Sequence, residues 1–354
     1  MKKFMIFFLS LVFVTSLVAC STQKENIDDP VGQTNIMEES TQSDPEPTDE
    51  VKATDTDSID EIHTNEFDLE NGTVLLNNGI EMPILGLGTN ALNIEEAENS
   101  VYTALTNGYR MIDTANGYRN ERGVAKGIER ADVAREEIFV TAKLWPTEYN
   151  TEGIDATLER LGLDYVDLII LHHPFGNYID GYKAVEEAVR EGKAKTIGLS
   201  NFNPEQIEEI MEIATIKPSV LQVEAHPYYQ QEELRKYIDQ YGMVIEAWYP
   251  LGGRGHTQTL FADETISEIA ADHDKSPAQI ILRWHLQAGH IAIPGSSNPE
   301  HIVENFSVFD FELSNEEMER INALETGVRF FAPNATDEEI EQMIMGMEMD
   351  FDAQ

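Results

Sequence analysis

Short apolar runs and amphipathic runs alternate along most of the chain. Amphipathic stretches such as Ile94 to Thr106, several of them opened by Ser, Thr, Asn or Pro, predict helices. The extended apolar runs predict eight strands: Ile84 to Gly86, Tyr109 to Ile112, Ile138 to Lys143, Val166 to His172, Thr196 to Leu199, Val220 to Glu224, Val244 to Trp248 and Ile291 to Pro294. Eight such units in roughly 250 residues favour an α/β fold, a (β/α)8 TIM barrel, over an open doubly wound sheet.

A hairpin pattern precedes the first of these strands. Residues 73 to 83, TVLLNNGIEMP, hold two short apolar runs around Asn77, Asn78 and Gly79, which predicts a turn with positive φ. We expect this N-terminal β-hairpin to plug one end of the barrel. Chemistry should then lie at the other end, where the strands finish.

The N-terminus has the three-part pattern of a secretory signal. Lys2 and Lys3 precede an apolar run from Phe4 to Val18, and residues 17 to 20, LVAC, resemble the lipobox of bacterial lipoproteins. A run of about 15 residues is shorter than the roughly 20 that a membrane span needs. We predict a signal peptide over residues 1–19 and a lipid on Cys20, the only cysteine, which would anchor the protein on the extracytoplasmic face of a bacterial cell membrane.

Acidic residues dominate the whole chain, whose formal net charge is −41. Such a surface repels phosphates, so nucleic acid is excluded as a partner. Residues 21 to 67 hold 14 acidic residues and two lysines without apolar periodicity, which predicts a disordered acidic tether over residues 20–67. The barrel is predicted over residues 68–335. Residues 336–354 are expected to form a frayed, solvated acidic tail, with a methionine-rich partner surface as the alternative.

Ionisable residues stand at three consecutive predicted strand ends. Asp113, Lys143 and His172 close the second, third and fourth strands, and Tyr118 lies in the loop after the second. An ammonium beside a phenol lowers the pKa of the phenol, so Lys143 would let Tyr118 pass a proton near neutral pH. Asp113 would pair with Lys143, and His172 would orient the substrate oxygen.

Seven motifs follow one another along the chain: GYRMIDTANGYRNE, VTAKLW, DLIILHHP, GLSNFNPEQI, LQVEAHPYYQ, EAWYPLG and IAIPGSSNPEHIVENFSVFDFELS. From about Thr73 to about Leu324, the chain with these motifs resembles the aldo-keto reductase family. The resemblance implies a (β/α)8 barrel and hydride transfer between nicotinamide C4 and the carbonyl carbon of a small-molecule substrate. It also implies a catalytic tetrad of Asp113, Tyr118, Lys143 and His172, with NADP(H) as the expected cofactor and NAD(H) as the alternative.

The resemblance also carries over cofactor contacts position by position. It implies that Ser200, Asn201 and Gln222 bind the carboxamide, that Trp248 stacks on nicotinamide, and that a loop from Leu251 to Gly255 covers the pyrophosphate. The remaining cofactor positions are Thr89 and Asn90 after the first strand, Gly253 in the covering loop, and Ser296, His301, Glu304 and Asn305 around the adenosine half.

Two departures from the family pattern bear on specificity. Gly295 and His301 stand where a lysine and an arginine usually grip the 2′-phosphate, so we expect a reduced preference for NADPH. Asn90 and His173 stand where tryptophans commonly line the substrate pocket, beside Trp145. A more polar pocket suits sugar or keto-acid carbonyls.

Two functions remain open at this point. The first is a reductase of aldehydes and ketones that depends on NAD(P)H. The second is a membrane-tethered nicotinamide-binding or redox-sensing module with little turnover. We expect a monomer. We also expect no metal site, because His172 and His173, as neighbours on a strand, would point to opposite faces.

Overall fold

A computed structural model of the protein describes residues 65–353. The predicted signal peptide, Cys20 and all but the last three residues of the predicted tether lie outside this range. Phe67, which the sequence places in the tether, pairs with Val74 in a short sheet, so the folded part begins before residue 68.

Eight parallel strands form one sheet in which each strand pairs with the next along the chain. The sheet closes on itself, because Gly86 N donates to Ala292 O at 2.9 Å and Ala292 N donates to Ile84 O at 3.0 Å. The predicted (β/α)8 barrel is therefore confirmed. Three short antiparallel strands precede it, β1 (Phe67–Asp68), β2 (Thr73–Leu75) and β3 (Glu81–Pro83). The barrel strands are β4 (Leu87–Gly88), β5 (Met111–Asp113), β6 (Phe139–Leu144), β7 (Val166–Leu171), β8 (Ala194–Ser200), β9 (Val220–Glu224), β10 (Val244–Trp248) and β11 (His290–Ala292).

Helices alternate with the barrel strands, and several begin at the capping residues that the sequence offers. Asn203 caps one helix by accepting from Gln206 N while Pro204 occupies its first turn. The helices of residues 65–353 are all too short or too polar to span a bilayer. They are α1 (Ile94–Thr106), α2 (Glu121–Ala131), α3 (Thr151–Leu161), α4 (Tyr178–Arg190), α5 (Pro204–Ile213), α6 (Glu232–Asp239), α7 (Thr257–Phe261), α8 (Glu264–Asp272), α9 (Pro277–Gln287), α10 (Pro299–Phe306), α11 (Asn315–Asn322) and α12 (Asp337–Met345).

The predicted hairpin lies at the N-terminal end of the barrel. Its turn residue Gly79 has a φ of 79°, as the pattern required. Asn77 Nδ2 donates to the carbonyl of Pro218, just before β9, and to the carbonyl of Tyr241, just before β10. Asn78 Nδ2 donates to Thr196 Oγ1 at 3.0 Å, near the start of β8. These contacts hold the hairpin across the barrel floor and leave the opposite end open for chemistry.

The first barrel strand is displaced from its predicted position. The sequence predicts Ile84 to Gly86, but β4 is Leu87–Gly88. Residues 84 to 86 instead hydrogen-bond to β11 and close the ring. One apolar run holds both the residues that close the barrel against β11 and the residues that pair with β5. Hydrophobicity alone therefore does not show where the strand begins.

The acidic C-terminal segment is a helix, and the expectation of a frayed, solvated tail is wrong. Thr336 and Glu339 form a capping box at the start of α12. Ile340 and Ile344, one turn apart, are buried and pack with Trp145 at the barrel mouth. The apolar pair docks while the acidic residues remain in solvent.

Candidate active site

Four predicted residues meet at the C-terminal end of the barrel. Asp113 ends β5, Lys143 lies in β6, Tyr118 lies in the turn after β5, and His172 follows β7. Lys143 Nζ donates to Asp113 Oδ1 in a fully buried ion pair. Lys143 Nζ lies 5.0 Å from the centroid of the Tyr118 ring. The rings of Tyr118 and His172 meet edge to face, with centroids 5.6 Å apart.

The turn that carries Tyr118 is held against the end of β6. Asn116 Oδ1 accepts a hydrogen bond from Trp145 N at 2.8 Å. A Cβ on Gly117 would lie 2.7 Å from the Trp145 ring, so the close approach requires glycine. The Asn-Gly-Tyr sequence therefore fixes the phenol relative to the ion pair.

The pKa of Tyr118 moves in the direction opposite to the prediction. Burial raises it well above its usual value, and the negative charge of Asp113 adds to the rise, as Tyr249 and Glu246 do once they ionise. The expected lowering of the Tyr118 pKa by Lys143 is wrong, because burial dominates the shift and raises it. Tyr118 is therefore a neutral phenol at neutral pH, which suits a proton donor.

His172 and His173 lie side by side rather than on opposite faces. Their rings stack with centroids 4.6 Å apart and an angle of 12° between planes. The strand ends at Leu171, so the alternation of side chains along a strand does not extend to His172 and His173. The prediction that these two side chains point to opposite faces is wrong. Burial lowers the pKa of His172 well below its usual value and that of His173 to about 3. Both imidazoles are neutral at neutral pH and can each donate one hydrogen bond.

Gln222 connects Asp113 to a carboxyl that the sequence analysis missed. Its Nε2 donates to Asp113 Oδ2 at 2.9 Å and to Glu246 Oε2 at 2.8 Å. Both amide hydrogens are therefore used, and Gln222 Oε1 is the atom left for a carboxamide N–H. Alternation along β10 could have identified Glu246, since it shares a face with Trp248, a predicted cofactor residue.

Asn201 fixes the indole expected to stack on nicotinamide. Trp248 Nε1 donates to Asn201 Oδ1 at 3.1 Å. Asn201 Nδ2 donates to His172 O at 3.1 Å and to Ser200 Oγ at 2.9 Å. The predicted carboxamide binders thus join the Trp248 ring to the tetrad, and the ring plane is set before any ligand arrives.

The loop after β10 extends along the rim of the barrel mouth toward the loop after β4. Gly253 has a φ of 64°, and a Cβ there would lie 2.4 Å from the Tyr249 ring. Arg254 Nη2 donates to Ala91 O at 2.6 Å, so the loop after β10 reaches past the end of β11 to the loop after β4. The stretch from Leu251 to Gly255 therefore has the position expected of a covering loop.

Thr89 and Asn90, at the end of β4, occupy different environments. Thr89 is fully buried, and its Oγ1 donates to Asp113 O at 2.9 Å. Its hydroxyl hydrogen is thus committed to the backbone beneath the tetrad. Asn90 is exposed beside the mouth and remains a candidate for both cofactor and substrate contacts.

The predicted adenosine-side residues lie on and just before α10. Asn298 caps the helix by accepting from Glu300 N. His301 is exposed, Ser296 and Glu304 are half-buried, and Asn305 is buried. Backbone N–H groups at a helix start can hold an anion.

Gly295 stands where the backbones of two barrel ends nearly touch. A Cβ at this position would lie 2.8 Å from the carbonyl oxygen of Gly88. A lysine at this position would therefore require the backbone to move. The absence of that cation goes together with the close packing of β4 against the loop after β11.

The C-terminal segment also covers the site. Glu224, at the end of β9, accepts from the backbone N–H groups of Phe330 and Phe331. The Phe330 ring lies between His226 and His256, with centroids 4.1 and 4.3 Å away. Phe331 meets the edge of Trp248 at 5.8 Å, so the segment contacts the predicted stacking residue.

These residues fit a nicotinamide dinucleotide. The fixed Trp248 ring, the free Gln222 Oε1, the loop after β10 and the start of α10 supply an aromatic face, a carboxamide acceptor and an anion site along one path over the mouth. A family model of the aldo/keto reductase family matches residues 84–326.

The chain belongs to the aldo/keto reductase family. It is therefore an oxidoreductase that uses a nicotinamide cofactor and reduces carbonyl groups. This membership does not favour the alternative of a binding module without turnover.

This reductase is similar to named enzymes along most of their length. The glyoxal reductase of Bacillus subtilis is 46% identical over 258 residues, which cover 71% of this chain and 92% of the relative. Morphine 6-dehydrogenase of Pseudomonas putida is 43% identical over 270 residues, covering 72% and 91%. A solved Bombyx mori aldo-keto reductase in complex with NADP has a TM-score of 0.69 at 34% identity, covering 73% of this chain and 94% of that chain.

Proposed function

We propose that this protein reduces small carbonyl compounds of the sugar or keto-acid type, prefers NADPH only modestly, and uses Tyr118 as the proton donor. One observation carries the proposal. The neutral Tyr118 phenol stands beside His172 and over the buried Asp113–Lys143 pair, on the open end of the barrel.

Each residue of the tetrad has a distinct task in this account. A bound reduced nicotinamide supplies the hydride. The His172 imidazole donates a hydrogen bond to the substrate oxygen and orients it toward Tyr118. The phenol gives its proton to the oxygen as negative charge develops there. Lys143 stabilises the resulting phenolate, and Asp113 holds Lys143 in place.

Substrate type follows from the polar side of the pocket. His173 stacks on His172 and lies edge-on to Trp145, with ring centroids 5.2 Å apart. A second neutral imidazole beside the first offers a hydrogen bond to an oxygen next to the reacting carbonyl. Sugars and keto acids carry such an oxygen, and one relative is named a glyoxal reductase.

Steady-state assays on the full chain test this proposal. Consumption of NADPH and NADH is followed with glyoxal-type, sugar and keto-acid carbonyls, and with a simple aliphatic aldehyde as the matched control. We expect turnover with both cofactors and a higher kcat/KM for substrates that carry the neighbouring oxygen. Equal kcat/KM for the aliphatic aldehyde would remove the substrate assignment, and no turnover with any carbonyl would remove the function.

The cofactor preference has its own test at His301. Since Gly295 cannot accept a lysine without a backbone shift, the variant to make is His301→Arg alone. The 2′-phosphate of NADPH carries close to two negative charges that NADH lacks. An exposed arginine should tighten NADPH by about 1 kcal/mol, roughly fivefold. NADH affinity is the internal control, measured with NADPH by Trp fluorescence; equal tightening of both cofactors, or of neither, contradicts the account.

We also propose that a lipid on Cys20 anchors the enzyme at the outer face of the cell membrane. The support is the LVAC pattern after an apolar run. Cys20→Ser should leave the protein unprocessed or release it from the membrane fraction, because the modified thiol carries the anchor. Ser21→Ala is the matched control. Identical fractionation and gel mobility of Cys20→Ser and wild type would refute the anchor.

A further inference from the structure

One buried carboxyl beside the tetrad has no part in the mechanism described so far. Glu246 is fully buried on β10. Its Oε2 accepts from Gln222, and its Oε1 has no hydrogen-bond partner among the described residues. An unpaired buried oxygen costs far less on a neutral carboxyl than on a carboxylate.

The charges around Glu246 also favour a neutral carboxyl. Asp113 on β5 and Lys143 on β6 face it inside the barrel, and Tyr118 faces it from the turn above. Burial raises the pKa of Glu246 to about 8, the Asp113 charge adds to the rise, and Gln222 and Lys143 oppose it. Two carboxyls thus share one ammonium. Asp113 is ionised because it contacts Lys143 directly, so the remaining proton lies on Glu246.

A single amide joins these two carboxyls. Gln222 Nε2 donates one hydrogen to each, at 2.8 and 2.9 Å, so the position of Asp113 Oδ2 depends on the Glu246 contact. Asp113 Oδ1 in turn holds Lys143. Any movement of Glu246 is therefore passed to the group that stabilises the phenolate.

We propose that Glu246 is a positioning residue of the reductase, a neutral carboxyl that holds Asp113 through the Gln222 amide and keeps Lys143 aligned beneath Tyr118. This inference rests on the proposed function. It adds a charge switch, since ionisation of Glu246 places a second carboxylate near the phenol and disfavours the phenolate that alcohol oxidation requires.

Three forms of the full chain separate positioning from charge. Glu246→Gln keeps the neutral shape and can still accept from Gln222, so kcat at pH 7 should stay near that of wild type. Glu246→Ala removes the acceptor, and a misplaced Asp113–Lys143 pair should lower kcat by about 10²-fold with little change in carbonyl KM. Recovery of kcat by the glutamine, relative to the alanine, identifies positioning.

The pH profile of alcohol oxidation gives the second arm. Wild type gains the Glu246 charge above about pH 8, whereas Glu246→Gln does not. The ratio of glutamine-variant to wild-type kcat/KM should be near one at pH 7 and rise at higher pH. Each unit by which the pKa of Tyr118 differs changes the phenolate fraction about tenfold.

Unfolding by urea gives a third test, which does not depend on catalytic activity. A carboxyl whose folded pKa exceeds its unfolded value loses stability as pH rises toward that folded value. Between pH 5 and 8, wild type should lose about tenfold per pH unit in its folding equilibrium from this group, and Glu246→Gln should not. Glu186→Gln is the matched control. That buried carboxylate accepts from Thr215 N and Ile216 N, its pKa is lowered, and its glutamine variant should lose stability at pH 7.

The outcomes distinguish this inference from the proposed function. An active wild type whose Glu246→Gln variant matches Glu246→Ala at pH 7, or follows the wild-type pH profiles in oxidation and unfolding, overturns the inference alone. Wild-type kcat in both Glu246 variants also overturns it. A wild type that reduces no carbonyl overturns the proposed function and this inference with it. If Glu246→Ala does not fold, the glutamine profiles decide.

Discussion

Tyr118→Phe should lose carbonyl reduction by about 10²- to 10⁴-fold while binding NADPH as tightly as wild type. The ring remains against His172 and over Lys143, so only the transferable proton is removed. Because the pKa of Tyr118 is raised, the wild-type phenol stays protonated through neutral and mildly alkaline pH. Between pH 6 and 9, the rate of carbonyl reduction by wild type should therefore not fall through deprotonation of Tyr118.

The measurement pairs kcat with cofactor affinity. Single-turnover reduction and NADPH titration by Trp fluorescence are compared for wild type, Tyr118→Phe and the control Tyr102→Phe, which lies on α1. A Tyr118→Phe enzyme within a few-fold of wild-type turnover would show that another group delivers the proton.

Lys143→Met should abolish most activity and also destabilise the fold in a pH-dependent way. Lys143 and Asp113 are both fully buried, and removing one partner of such a pair costs about 3–5 kcal/mol when the other remains charged. Burial already raises the pKa of Asp113 above its usual value, and losing the ammonium raises it further. A raised folded pKa means that stability is lost as pH rises, beginning above the unfolded value of about 3.9.

Urea unfolding of Lys143→Met at pH 5 and pH 8 checks this sign. The variant should be closer to wild type at pH 5 than at pH 8. Asp113→Asn with Lys143→Met is the control, since two neutral groups of similar shape remove the uncompensated charge. That double variant should recover stability but not activity. A deficit in Lys143→Met that does not change with pH would mean that packing, rather than charge, accounts for the loss.

The meeting of the predicted residues at the barrel mouth was predictable because barrel geometry ties sequence position to space. Asp113, Lys143 and His172 lie at or next to the ends of consecutive strands, so they come together at the mouth. The pKa direction of Tyr118 was not predictable in this way. It depends first on how deeply the phenol is buried, which the spacing of strand ends does not reveal, and then on the charge of Asp113.

The C-terminal helix shows a different limit of sequence analysis. Its acidic composition suggested a solvated tail, although Ile340 and Ile344 are spaced one turn apart and Thr336 with Glu339 forms a capping box. These local signals predict a helix but not its docking site. Contact with Trp145 depends on where the chain leaves the barrel, since Glu224 clamps the backbone at Phe330.

Isotope transfer tests the central claim most directly. Wild type is given NADPH with deuterium at both C4 positions and a keto-acid or sugar carbonyl in ordinary water. We expect an alcohol that carries deuterium on the former carbonyl carbon and, with unlabelled NADPH in deuterated water, no deuterium on that carbon. Solvent deuterium on the carbon, or an alcohol without label from the labelled cofactor, would contradict direct hydride transfer with Tyr118 supplying only the proton to oxygen.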